Sequence, residues 1–555
     1  MLRIKFFFAV VMAIALLLAA CSSPEEERAG RLFSYVPSDT LYLAAHTEPV
    51  PEAFFNHQIQ QAREMFFRIE PKKRQNDVAD DRTPAERFFA ELATELAIRA
   101  EAGELEKIGL SRDLRSVFYA FGLTPVMRSE ILDLEALRGM LQEVEERSGH
   151  TLDWQKCGEL DCIYFQEHEH SPLGFQVVLH PEHIAMAVFR REERVSIVDH
   201  LVGARRPAAS YSVARFEELL EKNDFNGMGA GFMELEKMAD RVAAVIESEL
   251  KRAGKRAEAD QVRRCVGVAK ALLANVPRMV FGARGIEEKR MRATVVLEAS
   301  PRLTKTLKSL PARLEGMRRV ENPVLDFGVG VNIPRLRDGL IELFREIEVA
   351  ARENGCSAIP AKALQTASMA VGMAMGLGVS QLQGLYVAVN EIKLDPQAKP
   401  AEIDMRLSIA ADDPVGLLRM AAAFVPPLAR LELPQDGKRV RLPAAALPPG
   451  SPPVSLSLNG KFLDILVGTT DKKTVPMASK EPALWWSTLD GPRYYSTLGD
   501  AIGQAAMKFR KDGDSQETEQ ALVTMRAVER FAPIVSQRVY PDQRGLVMDF
   551  DIRYP

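Results

Sequence analysis

Phe175-Gln-Val-Val-Leu-His-Pro-Glu-His-Ile-Ala-Met-Ala-Val-Phe189 and Val454-Ser-Leu-Ser-Leu-Asn-Gly-Lys-Phe-Leu-Asp-Ile-Leu-Val467 each read as two short strands closed by a tight turn. In the second, Asn459-Gly460 supplies the two residues that tolerate positive φ in a two-residue hairpin. In the first, His180-Pro181-Glu182-His183 takes the turn. Strands joined this way run antiparallel, so sheet made of hairpins is expected in both halves of the chain.

The context of each hairpin also recurs in order, about half a chain length apart. Thr40 to Ala45 followed by Pro51 to Phe67 is echoed by Val324 to Val331 followed by Pro334 to Glu353. Val117-Phe-Tyr-Ala-Phe before Ile131-Leu-Asp-Leu-Glu is echoed by Leu385-Tyr-Val-Ala-Val before Leu407-Ser-Ile-Ala-Ala. Each half closes on a helix, a proline and two strands: Val262 to Asn275, Pro277 and Met279 to Leu297, then Glu517 to Phe531, Pro533 and Ile534 to Ile552. Helices are marked by the capping box at Thr83 with Pro84, by Pro334 with Leu336, Leu340, Leu343 and Ile347 on one face, and by Leu235, Met238, Val242 and Ile246 within Phe232 to Arg252. These signals predict an α+β fold of two tandem similar lobes, each a mostly antiparallel sheet with packed helices, from an internal duplication. Lobe one spans residues 32–299 and lobe two 300–555. At 555 residues and 46% hydrophobic content, the chain exceeds a single core.

The N-terminus reads as an address. Arg3 and Lys5 precede the apolar run Phe6 to Leu18, about 13 residues and too short for a bilayer span of roughly 20. Its end, Leu18-Ala19-Ala20-Cys21, closely resembles the bacterial lipobox. The resemblance implies removal of residues 1–20, lipid on Cys21 and a tether over 21–31. Ser22 resembles the signal for delivery to the outer membrane, with the body facing the periplasm. Met369 to Val379 is the longest later apolar run; being far short of a span, it is expected in the core. The opening Tyr35-Val-Pro-Ser-Asp-Thr-Leu-Tyr-Leu and the phrase Asp436-Gly-Lys-Arg-Val-Arg-Leu-Pro resemble uncharacterised proteobacterial envelope lipoproteins, a likeness that implies no activity.

Four further cysteines remain. Cys157 and Cys162 suit a local disulfide, which leaves Cys265 and Cys356 to pair by elimination and join the two lobes; free buried thiols are the alternative.

Chemistry is sparse. There is no G-x-S-x-G elbow, no P-loop lysine and no dinucleotide loop, and Gly372 to Gly378 reads as close helix packing. A net charge of −4 carries no nucleic-acid footprint. All eight histidines precede residue 201. His168 and His170 are metal candidates because alternate strand residues share a face. His180 and His183 lie at the other end of the hairpin, roughly 15–20 Å away, and are expected at a solvated end. Asp412-Asp413 reads as a helix cap, Lys251, Arg252, Lys255 and Arg256 as a solvated helix end, and Trp485, Trp486, Tyr494 and Tyr495 as part core, part rim around an Asp490-Gly491-Pro492 turn. No cofactor is expected. The leading expectation is a non-catalytic binding or scaffolding lipoprotein, with the membrane reached through Cys21 and an envelope protein as partner. A carrier or sensor of an apolar ligand, and a hydrolase without a linear motif, are the alternatives.

Overall fold

The computed structural model describes residues 30–69, 84–110, 115–165, 171–376, 379–394, 400–423, 425–448, 450–468, 473–476, 483–497 and 529–555. Cys21, Ser22, Thr83, His168 and His170, and most of the helix expected over 517–531, lie outside them. The fold is α+β, and the chain divides into two compact units. The first holds residues up to Val242 together with Arg278–Thr294; the second holds Ala243–Pro277 and Val295–Pro555. This division differs from one at 299/300, because residues 243–277 belong with the second unit.

The first unit runs β1 (Tyr42–His46), α1 (Glu52–Ile69), α2 (Pro84–Glu101), β2 (Ser116–Phe121), β3 (Thr124–Glu130) and α3 (Leu134–Ser148). It continues through β4 (Asp153–Cys157), β5 (Leu160–Phe165), β6 (Leu173–Leu179), β7 (His183–Arg190), α4 (Arg194–Leu201), α5 (Val213–Asn223) and β8 (Ala230–Glu234). After α6 (Leu235–Arg252) and α7 (Arg256–Leu273), β9 (Arg278–Glu287) completes it, and β10 (Arg290–Glu298) spans the division. The sheet is antiparallel, in the order β9–β8–β1–β2–β3–β7–β6–β5–β4. The expected hairpin is present, with Leu179 opposite Ile184. Phe232 falls in β8, beside Leu43 of β1, rather than in the helix that follows.

The second unit adds α8 (Pro301–Lys308), β11 (Arg318–Val320), β12 (Leu325–Gly330), α9 (Ile333–Asn354), α10 (Ala361–Ala374), β13 (Leu382–Leu394) and β14 (Pro400–Ala411). Then come α11 (Pro414–Ala422), β15 (Val440–Arg441), β16 (Val454–Asn459), β17 (Phe462–Val467), β18 (Thr474–Pro476), β19 (Trp485–Asp490), β20 (Ile534–Pro541) and β21 (Gly545–Arg553). Its sheet runs β21–β20–β19–β12–β13–β14–β17–β16–β15. Strand for strand, β12, β13, β14, β16, β17, β19 and β20 take the places that β1, β2, β3, β6, β7, β8 and β9 take in the first sheet. The Asn459-Gly460 turn pairs Asn459 with Phe462.

Local chemistry sets the helix ends. Asp133 accepts from the Glu135 and Ala136 amides at the start of α3, and Asp413 accepts from Gly416 at the start of α11. Pro334 lies in the first turn of α9, and Gly355 ends that helix at φ 66°, where a side chain would be strained. Gly328 is a glycine for space: a Cβ there would lie 2.0 Å from the Trp486 ring. Trp486 is buried and Trp485 partly exposed, as expected, but residues 491–497 are helical, and Asp490 accepts from the Arg493 amide instead of closing a turn.

Both disulfides are formed, Cys157–Cys162 and Cys265–Cys356. The second does not join the two units. Cys265 on α7 and Cys356 just past α9 both belong to the second unit, where they clamp a small helical core with Val268, Ala350 and Ala351. The Met369 run is not core either. In α10 no residue is buried, Met369 and Met373 are 61% and 65% exposed, and a Cβ on Gly372 would touch nothing. The helix packs against α9 through half-buried residues such as Leu364, Ala367 and Val371, with Gln365 donating to Glu348 at 3.2 Å, so its apolar run is covered only in part. No helix among the described residues is long and apolar enough to cross a membrane.

Candidate functional site

The hairpin β6–β7 has two different faces. Because side chains alternate along a strand, Phe175, Val177, Leu179, Ile184 and Met186 point to one side, and Gln176, Val178, His183, Ala185 and Ala187 to the other.

The first side meets α2 and α3 over a cavity of about 110 Å³. Phe88, Phe89, Leu92 and Leu96 of α2, Leu137, Met140 and Leu141 of α3, and Ile163 and Phe165 of β5 line it with the five hairpin residues, Leu110 and Leu152. Every lining side chain is hydrocarbon or thioether, so nothing there holds a water. Phe89, Leu92, Leu141, Phe165, Val177 and Met186 are only partly buried, so the cavity communicates with the surface.

The other side carries a polar hub built on Arg128 of β3, which is wholly buried. Its Nε donates to Tyr119 Oη at 3.1 Å, its Nη1 to His183 Nε2 at 2.8 Å, and its Nη2 to the carbonyls of His200 at 2.8 Å and Leu201 at 3.1 Å. Those carbonyls end α4, where cations and donors are favoured. Tyr35 lies under the guanidinium, 3.7 Å from ring centroid to Cζ. A guanidinium only donates, and this directs the rest. The Tyr119 hydroxyl passes its own hydrogen to His200 Nε2 at 2.8 Å, leaving His200 Nδ1–H for the Arg205 carbonyl at 3.2 Å. His180 stacks on His183 at 4.1 Å and donates from Nε2 to Leu201 O at 2.8 Å. His180 and His183 are therefore buried, not at a solvated end as expected; the turn between them folds in under Tyr35 and α4.

Arg128 has no carboxylate partner among the described residues. The second unit pairs its guanidinium groups with buried carboxylates: the half-buried Arg319 binds Asp326 Oδ2 at 2.6 Å and the buried Arg406 binds Asp464 Oδ2 at 2.8 Å. Next to an unbalanced cation the imidazoles stay neutral. Burial first, then the charge of Arg128, holds His200 down to about 4. Burial also takes His180 to about 4 and, with His180, Arg128 and Arg31 beside it, His183 to about 2. Burial pushes the Tyr119 hydroxyl upward.

A pH dependence follows with a definite sign. Below an ordinary histidine value near 6.5 the unfolded chain takes up protons that the folded hub refuses. Stability is therefore complete above about pH 6.5 and is lost as pH falls toward 4, by about 1.4 kcal/mol per pH unit for each proton. Three histidines predict a slope approaching about 4 kcal/mol per unit near pH 5. Urea unfolding between pH 7.5 and 4.5 checks it; a flat stability over pH 6 to 5 would contradict the assignment.

Of the residues singled out in the sequence, only the region of the five histidines between 168 and 200 becomes a constellation, through His180, His183 and His200. Arg128, Tyr119 and Tyr35 carried no linear signal. Among the described residues no group of His, Cys, Asp or Glu is placed to hold a metal ion. A cleft of about 780 Å³ in the second unit has a mixed lining, with Arg313, Gln383 and the Lys461–Asp412 ion pair at 3.1 Å beside Ile333, Leu382 and Phe462.

No family model matches the chain, and no curated protein matches it. Among solved structures it is similar to TP0453 in crystal form III, at 11% identity and TM-score 0.22, over 52% of this chain and 89% of that one. It is also similar to TP0453 in crystal form I, at 9% identity and TM-score 0.19, over 80% and 92%. Likeness at this level assigns neither fold nor function.

Proposed function

We propose that this chain is a lipid-anchored, non-catalytic envelope protein whose first unit holds the hydrocarbon end of an apolar ligand. One observation carries the reading: the cavity between α2, α3 and β5–β7 is lined only by apolar side chains and reaches the surface. A dry apolar cavity of about 150 Å³ accepts a benzene-sized guest, so about 110 Å³ suits the end of an acyl chain rather than a whole lipid. The polar hub lends itself less to catalysis, since its donors and acceptors are already matched to one another inside the fold. Anchoring through Cys21, with Ser22 directing the body to the outer membrane, fits a lipid-handling role. The repeated strand order supports an internal duplication in which only the first copy carries histidines.

Calorimetric titration with decanoic acid, beside mass spectrometry of co-purifying lipid, tests the proposal. Leu92→Trp, which fills the cavity, is expected to weaken binding at least tenfold while leaving the melting temperature within about 2 °C, since surface-side apolar changes are mild. The idea sinks if wild type neither binds decanoate nor carries lipid.

A second reading, a scaffold for another envelope protein, is favoured by the exposed Met369 and Met373 of α10. In-cell crosslinking from position 373 would capture one discrete partner under that reading and none otherwise.

A further inference from the structure

We infer that the Arg128 hub is an acid-released latch: it holds α4 on the sheet at neutral pH, and protonation of His183 and His200 frees it. The inference stands apart from the ligand reading.

The reason lies in the direction of the hydrogen bonds. His183 Nε2 accepts from Arg128, and His200 Nε2 accepts from Tyr119, whose oxygen is already occupied by Arg128 Nε. A proton on either nitrogen turns an acceptor into a donor facing a donor. It also places a second positive charge in a pocket that holds Arg128 without a counterion. The groups that face the two rings offer little relief. From β2 comes Tyr119, from β3 Arg128, from the β6–β7 turn His180 and Glu182, and from the N-terminal segment Arg31 and Tyr35. The segment after α4 brings Arg205 and Arg206, the latter over the Tyr35 ring at 5.1 Å. Glu182 is the one carboxylate among them, and it lies at the surface against Arg31 at 3.5 Å. Burial and this surplus of cations depress both histidines. α4 is tied at its C-terminal end by Arg128 Nη2 on the His200 and Leu201 carbonyls and by Tyr119 on His200 Nε2; protonation of His200 breaks the last of these directly, and protonation of His183 repels the same guanidinium that holds the carbonyls. Once those bonds go, α4 rests on the buried side chains of Ile197 and Leu201 and on the His200–Phe121 stack at 3.9 Å, and eight residues are too few to hold a helix unaided.

Hydrogen exchange on the full-length protein in detergent micelles, with exposure times corrected for intrinsic rate, reads the latch directly. Amides of residues 194–205 are expected to lose protection at least tenfold between pH 7 and 4.5, while those of α3 keep theirs. The double variant His183→Gln/His200→Gln retains acceptor oxygens for Arg128 and Tyr119 but cannot be protonated, and should stay protected at pH 4.5. Unchanged protection in wild type, or the same opening midpoint in the double variant, overturns the proposal. Should that variant fail to fold, ¹³C-histidine-labelled wild type decides. Two histidine resonances titrating in the same step as the loss of protection support the latch, and opening with no histidine titration overturns it.

Discussion

Arg128→Met is expected to cost the first unit about 4 kcal/mol of stability. The estimate comes from counting what the guanidinium leaves behind. Tyr119 Oη would still have His200, and Leu201 O would still have His180. His183 Nε2 and the His200 carbonyl would lose the partners that bind them now. A buried acceptor left bare costs about 1–3 kcal/mol. Removing an unbalanced buried charge returns part of its desolvation, which keeps the total from running higher. The same variant should also soften the acid slope in part: burial, the larger cause of the depressed histidines, remains, and only the added push of the Arg128 charge is gone. Trp154 is the one tryptophan of the first unit, so its fluorescence in a Trp485→Phe/Trp486→Phe background reports that transition separately, as two units unfolding apart require. A variant that unfolds with the wild-type midpoint at pH 7.5 would show that the hub is incidental to stability.

The second large effect belongs to Cys265–Cys356. It closes a loop with a sequence separation of 91 residues, for which the chain-entropy account gives about 4–5 kcal/mol. The core it clamps is small, four buried residues with a few partly buried neighbours, so apolar burial does little to offset its loss. Cys265→Ala/Cys356→Ala is expected to loosen α7 and α9 and bring down the melting temperature of the second unit by roughly 10 °C or more, on the usual conversion of free energy to temperature. Removing Cys157–Cys162, a bond across five positions, should cost only about 2 kcal/mol. Calorimetry of the two double variants separates them; equal shifts would contradict the loop argument.

What was legible in the chain was local. Asn459-Gly460, Asp413 and Pro334 each act over a few residues, and each does in the structure what its chemistry requires. The α+β class followed from hairpins and helical spacing. The hub was not legible, because its members stand at 35, 119, 128, 180, 183 and 200, and only the pairing of β2 with β3 and of β3 with β7 brings them together. Arginine is normally a surface residue, so nothing in the neighbourhood of Arg128 marks it as buried. The uneven placement of histidine was a real signal, but the burial of His180 and His183 was not legible: a turn made of His-Pro-Glu-His looks solvated until the element that covers it is known. For α10 the error ran the other way, since apolar composition says that burial is favourable and not that a partner covers every face: α9 covers one side and leaves Met369 and Met373 exposed.

The two faces of β6–β7 constrain how this protein can change over time. With a side-chain period of two, a one-residue insertion or deletion within either strand turns every side chain beyond it to the opposite face. Leu179 or Ile184 would then be carried toward Arg128, and a histidine toward the apolar cavity, so one event would spoil both sites. Lineages that retain both features should therefore vary the length of this hairpin in steps of two residues or in its turn, and hold the strands between at constant parity.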